Sequence, residues 1–251
     1  RLQVWLPLRV RKQRLLRKEV KTMWFFRKKQ TLEESGFFRG FTDWHCHLLP
    51  GVDDGVQTME ETLQVLTAYE RLGVKEVWLT PHIMEDMPNT PDDLRERFRQ
   101  LQEVYTGNVT LHLASENMLD ALFEERLQAD ELLPIGTQKD HLLVETSYFN
   151  PPLHLMELLD GIRAKGYYPL LAHPERYLYM ADTDYVRLKE KGIKFQLNLP
   201  SLFGLYGKDI QERAKKLLKN RMYEYVGTDL HRIDSFQTLL QNKTPCLLIQ
   251  K

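Results

Sequence analysis

The sequence predicts an α/β fold closed as a distorted (β/α)7 barrel, on three observations. From residue 41 onward short β-rich runs alternate with amphipathic stretches, and no low-complexity linker or internal repeat interrupts them. Strand, helix, strand repeated implies parallel pairing, and seven such units are better accommodated by a barrel than by an open sheet. Ionisable side chains collect at the ends of the β-rich runs, the end at which such barrels assemble their sites.

The first strand, 41–45, delivers Asp43-Trp44-His45-Cys46-His47. Residues two apart on an extended chain point the same way, so His45 and His47 face one cation while Cys46 faces away. Asp54 sits in the loop beyond, within Asp53-Asp54-Gly55. A helix over 58–72 opens with a capping box from Thr58 to Glu61 and stops at Gly73. The second strand, 76–80, runs into Thr80-Pro81-His82; alone His82 reads as a loop histidine, and its position gives it weight. A helix over 91–105 leads to the third strand, 109–114, and to Ser115-Glu116. With a helix expected over 119–128, Glu116 alone reads equally as a helix N-terminal charge. The fourth strand, 142–146, places Leu142-Leu143-Val144 before Glu145, in a strand expected to be buried on both faces. An unpaired carboxylate there is costly, and a metal would neutralise it. After a helix over 152–165 and Gly166, the fifth strand, 168–172, leads to His173-Pro174-Glu175-Arg176. A helix over 184–191, Gly192, the sixth strand, 194–198, and a helix over 208–220 follow. The seventh strand, 223–227, ends in Asp229-Leu230-His231, repeating the spacing of the opening histidine pair, and a helix over 234–241 completes the last unit.

His45, His47, Asp54, His82, Glu116, Glu145, His173, Asp229 and His231 thus converge on one rim, more donors than a single cation uses. Singly, a His-x-His pair is more often two histidines satisfied by hydrogen bonds; the joint pattern separates the readings. Imidazole and carboxylate without thiolate suit Mn, Fe or Zn better than copper(I) or an iron–sulfur cluster, and donor type alone leaves those three open. His112, which alternates within Leu111-His112-Leu113, His141 ahead of its strand and His154 early in a helix are assigned no chemistry. Tyr148 and Tyr177 follow donor positions closely enough to line a pocket, whereas Tyr167, Tyr168 and Tyr179 read as packing.

Composition narrows the class. With 251 residues and 42% apolar content the chain is long enough for one large domain, expected over 41–251 behind a basic N-terminal extension, 1–40. No run approaches a membrane span and no secretory signal is evident, so a cytoplasmic protein is expected. Two cysteines build no disulfide framework. Neither opens a Cys-x5-Arg phosphate loop, because position 52 is Val52 and the chain ends too soon after Cys246. Residues 1–30 carry eleven basic side chains and one acidic, leaving 24 basic and 34 acidic in the rest of a chain of zero net charge, a body near −10. The stretch 9–29 reads as a membrane-surface or nucleic-acid arm, or equally as a solvated extension. The acidic body argues against broad binding to a phosphate backbone, and no nucleic-acid partner is expected. Met23-Trp24-Phe25-Phe26 reads as a start, so residues 1–22 are set aside from fold reasoning.

The chain resembles the polymerase and histidinol phosphatase (PHP) superfamily, and within it the metal-dependent bacterial protein-tyrosine phosphatases of capsule and exopolysaccharide systems. The resemblance runs from Asp43 to His231. It rests on Asp43-Trp44-His45-Cys46-His47-Leu48-Leu49-Pro50-Gly51-Val52-Asp53-Asp54-Gly55, with Thr80-Pro81-His82, Ser115-Glu116, Leu143-Val144-Glu145-Thr146-Ser147, Ala172-His173-Pro174-Glu175-Arg176-Tyr177 and Thr228-Asp229-Leu230-His231. It implies a distorted (β/α)7 barrel with three metal ions, usually manganese. One ion would take His45, His47 and Asp229 with Glu116 bridging; a second Glu116, Glu145 and His173; a third Asp54, His82 and His231. Clustered divalent cations stabilise a phosphoryl transition state and supply hydroxide, so phosphate-ester hydrolysis by metal-bound hydroxide is expected. Arg176 is the expected catalytic residue, clamping a phosphate oxygen, or else a structural partner of Glu175 or another carboxylate. Arg176, Arg232 and Tyr177 are the expected substrate-binding residues.

Two departures qualify the resemblance. After His82 many relatives carry basic residues, whereas Ile83-Met84-Glu85-Asp86 is acidic and unsuited to phosphate. After His231, Arg232-Ile233-Asp234 stands where the family has an Arg-Pro-Pro element and a longer tail; Arg232 would replace that arginine, and a truncated tail would leave a barrel face uncovered. The resemblance implies a tyrosine-phosphorylated protein as substrate, a bacterial tyrosine kinase among its partners, and membrane contact only through that kinase or the basic N-terminus. A histidinol-phosphate or other small-molecule phosphatase and a non-catalytic, metal-stabilised binding module are the competing readings.

Overall fold

Buried β-rich runs separated by capped helices wind up here as seven parallel staves, two of which break midway. The structure, a computed structural model, describes residues 30–244; the basic stretch 1–29 and the tail with Cys246 lie outside the described residues. β1 (Thr42–Cys46) pairs with β2 (Glu76–Leu79), and β2 with β4 (Thr110–Leu113). A second sheet runs β3 (His82–Ile83), β5 (Glu116–Met118), β6 (His141–Glu145), β7 (Tyr168–Ala172), β8 (Lys194–Asn198) and β9 (Tyr225–Gly227) in that order. β2 and β3 are halves of one stave, interrupted at Thr80-Pro81 where proline has no amide to donate. β4 and β5 are halves of the next, interrupted at Ala114-Ser115. The ring closes between β9 and β1: Asp229 N donates to His45 O at 2.7 Å and His47 N to Leu230 O at 2.9 Å. The expected distorted barrel is the fold observed.

Helices α1 (Met59–Leu72), α2 (Pro91–Val104), α3 (Phe123–Gln128), α4 (Leu155–Ala164), α5 (Asp182–Glu190), α6 (Leu199–Phe203), α7 (Lys208–Lys219) and α8 (Ile233–Gln241) follow the staves. Thr58 Oγ1 accepts from Glu61 N at 3.2 Å, and Gly73 ends α1 at φ +81°. Two helices start later than the sequence suggests. Leu119 N is taken by Glu145 O at 2.9 Å, which prolongs the β5 stave, so α3 waits for Phe123. Pro151 and Pro152 withhold amides and His154 sits at φ +63°, so α4 begins at Leu155. The short α6 and a 3-10 turn at Pro174–Arg176 are additions that the sequence pattern did not reveal.

The helices bury Val65, Leu66, Tyr69, Leu94, Leu101, Leu159 and Ile162 against the outside of the barrel, each worth roughly 1.5–3 kcal/mol for the larger aliphatics. Inside, Trp78, Ala114, Ile135, Leu143, Leu170 and Ala172 form a separate apolar floor, with Trp44 stacked on Trp78 at 5.7 Å. A bulge between Asp43 and Cys46 lets both Trp44 and His45 face inward while Cys46 packs in the outer core. His112 stacks on Trp78 at 4.5 Å, in this apolar layer.

The segment before β1 is part of the body. Leu32 and Phe38 are buried, Thr31 bridges Lys243, and Phe38 meets Phe236 of α8 at 5.8 Å. A domain boundary at residue 40 therefore falls inside packed structure. α8 packs on the same side, Phe236 meeting Tyr69 of α1 at 5.2 Å. Among the described residues no helix is long and apolar enough to cross a membrane.

Candidate metal centre

Above the apolar floor the staves end in donors. His45 lies in β1 with His47 just beyond, His82 and Glu116 open β3 and β5, and Glu145 ends β6. His173 follows β7, Asp229 and His231 follow β9, and Asp54 comes from the loop after β1. In β5, Glu116 pairs in register with His82 of β3 and so is no helix N-terminal charge. His173 at φ +31° and Asp229 at φ +51° are non-glycine residues in left-handed backbone, the kind of strain that clusters at functional sites.

All nine side chains meet. Four groups have donor atoms within 4.8 Å of one another: His45, His47 and Asp229; His45, Glu116 and His173; His82, Glu116 and Glu145; and His47, Asp54, His82 and His231. The first matches the opening set implied by the resemblance, and the last contains the third set joined by His47. Glu116, Glu145 and His173 do not form one such group; Glu116 is shared between two. Glu116 Oε2 lies 3.1 Å from His45 Nε2 and 3.3 Å from His47 Nε2, while its Oε1 is 3.0 Å from His173 Nε2.

The outer nitrogens fix how the rings face. Gln196 Oε1 accepts from His173 N at 3.2 Å, so it is an acceptor, and His45 Nδ1 at 2.9 Å must carry the proton. His47 Nδ1 donates to Asp53 Oδ2 at 2.7 Å and His231 Nδ1 to the Asp229 carbonyl at 2.8 Å. In the neutral rings the Nε2 lone pairs then point inward, and His45 Nε2 and His47 Nε2 face each other at 3.1 Å beside carboxylates. Acceptors so arranged repel unless a positive charge lies among them. Among the described residues buried His173 Nδ1 has no partner, and His82 Nδ1 and Glu145 Oε1 have none either, being 3.1 Å apart but misaligned, at about 1–3 kcal/mol for each such group.

The electrostatics agree. Burial favours a neutral His45, yet Glu116 and Asp229 override it and hold its pKa at about 9. Burial likewise opposes charge on Glu116 and Asp229, and the imidazoles, His45 foremost, still keep both well below the usual carboxylate range. Asp53, against burial, is pulled to about 2 by His47. A site that draws in positive charge this strongly, through nitrogen and oxygen donors alone, fits divalent cations.

Beside the cluster opens a cavity of about 710 Å3, lined among others by Arg176, Tyr148, Tyr206, Leu205 and Arg232. Arg176 Nη1 donates to Asp229 Oδ2 at 2.8 Å; its carboxylate partner is Asp229, while Glu175 accepts from Asn198 N and Tyr223 Oη at 3.0 Å each. Arg232 is exposed at the mouth. Tyr177 stands elsewhere: fully buried, it donates its hydroxyl to Ala172 O at 2.9 Å and accepts from Thr146 N at 3.2 Å. It supports the barrel wall and does not face the cavity, which corrects its expected place at the substrate.

The profile described as "Capsular polysaccharide synthesis, CpsB/CapC" matches residues 41–246. The chain belongs to the CpsB/CapC family. Among curated relatives, tyrosine-protein phosphatase YwqE of Bacillus subtilis (strain 168) is 28% identical over 197 residues, 76% of this chain and 77% of its own. Tyrosine-protein phosphatase CpsB of Streptococcus pneumoniae is 29% identical over 213 residues, covering 79% and 86%. A solved structure from work on YwqE and CpsB, described as metal-dependent tyrosine phosphatases, superimposes with a TM-score of 0.71 at 26% identity over 80% of this chain and 82% of that one.

Four residues of this CpsB/CapC chain that set up the donors are given no role on the sequence alone. Asp53 holds His47, and Gln196 holds His45. Asn198 Nδ2 donates to Asp229 Oδ2 at 2.7 Å. Asp43 accepts from Tyr69 and Thr228 hydroxyls at 2.6 Å each, tying β1 to α1 and to the end of β9. A signal was present for two of them: Phe195-Gln196-Leu197-Asn198 alternates polar residues along a strand buried on both faces, where each polar group needs a partner.

Proposed function

We propose that this CpsB/CapC member is a manganese-dependent protein-tyrosine phosphatase with three metal ions. The observation that carries the reading is the set of imidazole nitrogens and buried carboxylates aimed at shared points, with His82 Nδ1, Glu145 Oε1 and His173 Nδ1 left without a partner among the described residues. Bound there, divalent cations supply Lewis-acid charge for phosphoryl transfer and make hydroxide available near neutral pH, with a bound-water pKa of roughly 7.

The protein's own contributions follow from position. His45, His47 and Asp229 would hold one ion, with Glu116 shared; Glu145 and His173 would complete a second position, and Asp54, His82 and His231 a third. Asp53 and Gln196 keep two of the imidazoles turned inward. Arg176, one side of its fork on Asp229, would present the remaining in-plane N–H groups to a phosphoryl oxygen. Arg232, at the mouth, would meet the substrate farther out. Pro200, Leu205 and Leu239 give the cavity apolar walls suited to a phenyl ring.

The family assignment supports capsular polysaccharide synthesis as the setting, and we infer a phosphorylated tyrosine kinase of that system as the substrate. The barrel, 41–251, together with the segment packed on it just before β1, would act as one catalytic domain on the cytoplasmic side, the basic N-terminal stretch or the kinase bringing it to the membrane.

Three measurements test this. Metal analysis of the purified protein should find manganese, with iron and zinc as the competing results. Phosphate release from a phosphotyrosine peptide should depend on that metal and exceed release from histidinol phosphate. Arg176→Ala should lower kcat/KM by about 10²–10³-fold with metal content unchanged. Metal-loaded protein that hydrolyses histidinol phosphate but not the peptide would move the reading to a small-molecule phosphatase. Protein that binds a kinase tail and turns over no ester would overturn it.

A further inference from the structure

Two aromatic rings pack on the Arg176 guanidinium. Its Cζ lies 4.3 Å from the ring centroid of Tyr148 and 4.4 Å from that of Tyr206. The rings come from separate loops, β6–α4 and α6–α7, neither of which supplies a donor to the metal cluster. Each loop is tied down near the arginine. Leu178 N, two residues after Arg176, donates to Tyr148 O at 2.8 Å. Asn198 Nδ2 donates to Tyr206 Oη at 3.4 Å and to Asp229 Oδ2 at 2.7 Å, the oxygen that Arg176 also uses.

A guanidinium attracts aromatic faces above and below and donates hydrogen bonds only within its plane. Two rings packed on it therefore restrict how it can turn and leave its in-plane N–H groups for other partners. That plane contains Asp229 Oδ2, and among the described residues no other acceptor meets the Arg176 side chain. Arg176 lines the cavity that Asp229, His231 and Glu116 also line. A lone arginine on a flexible stem would have to be ordered when phosphate arrives; one already held by two rings would not.

We propose that Tyr148 and Tyr206 form an aromatic clamp that positions Arg176 for a phosphoryl group, and that both act through Arg176. This rests on the phosphoester reading above and adds two positioning residues to it. The ring, and not the hydroxyl, carries most of the effect.

The test uses the metal-loaded full chain and two readouts: inorganic phosphate affinity by calorimetry, which needs no turnover, and kcat and KM on a phosphotyrosine peptide. Tyr148→Leu and Tyr206→Leu should each weaken phosphate binding by roughly tenfold, and Tyr→Phe at either position should restore most of it. In an Arg176→Ala background the leucine variants should cost nothing further, because the residue they position is gone. Leucine variants that bind phosphate like the parent, or whose loss persists undiminished without Arg176, would overturn the clamp. So would leucine variants that lose metal or melt markedly lower, since the tyrosines would then be structural. Parent protein that binds phosphate through a clamped Arg176 yet cleaves no phosphotyrosine peptide would sink the proposed function and leave the clamp standing.

Discussion

A histidine's outer nitrogen decides what its inner one can do. Gln196 accepts from His45 Nδ1 at 2.9 Å and from His173 N at 3.2 Å, so one buried amide orients a ring and anchors the backbone of a second donor. Gln196→Leu would keep much of the volume and remove both acceptors, leaving His45 free to adopt the tautomer whose Nε2 carries hydrogen. Loss of such an orienting partner typically lowers metal affinity about 10–100-fold, and that is the expected result in a chelator-competition titration. Unchanged affinity would mean that packing alone holds the ring. Eight of the nine candidate donors were legible because each ends or closely follows a β-rich run, and Asp54 from the Asp53-Asp54-Gly55 loop beyond the first. Gln196 and Asn198 were harder to see, because one amide in a strand carries no signal until the partners above it are known. Tyr177 misled for the opposite reason: proximity in sequence to His173 says nothing about which side of the wall its ring takes.

The staves themselves were legible from alternation, glycine stops and caps, whereas their breaks were not. Thr80-Pro81 and Ala114-Ser115 read as strand ends, and the two- and three-residue pieces beyond them are too short to show a period. Those pieces set His82 and Glu116 side by side in register. The closing seam is equally local. At Gly227 β9 passes so near β1 that an added Cβ would stand 2.8 Å from both His45 N and Gln196 Nε2, and closer still to His45 Cβ. None of these is a flexible surface group that can swing aside. Gly227→Ala should therefore cost about 1–3 kcal/mol, the usual range for overpacking a buried site. At roughly 2–4 °C per kcal/mol for a chain of this size, the melting temperature should fall by about 2–12 °C. A melting curve that overlays the parent would show that the seam can spread, and that the glycine is not required for close approach.

Seen as a whole, the barrel is an apolar core capped by a cluster of charge that only folding brings together, from His45 to His231. Without a cation, Glu116 and Asp229 remain ionised in burial and rely on protonated imidazoles; under the proposed function the same donors would become ligands. Cation binding must therefore stabilise the native state, by about 2.7 kcal/mol at a free metal concentration 100 times Kd. For this chain length the corresponding rise in melting temperature is roughly 5–10 °C. Removal of metal by a chelator should reverse it, and the loosening should not be uniform. The seam between β1 and β9 joins donors from both edges, His45 and His47 on one side and Asp229 on the other, and its amides at His47 and Asp229 bond across the gap. Chelation should speed hydrogen exchange at those amides, while β6 and β7, paired in register from His141 to Val144, keep their protection. Equal exchange with and without metal would mean that the shell holds the cluster together unaided, and the cations would then act in chemistry alone.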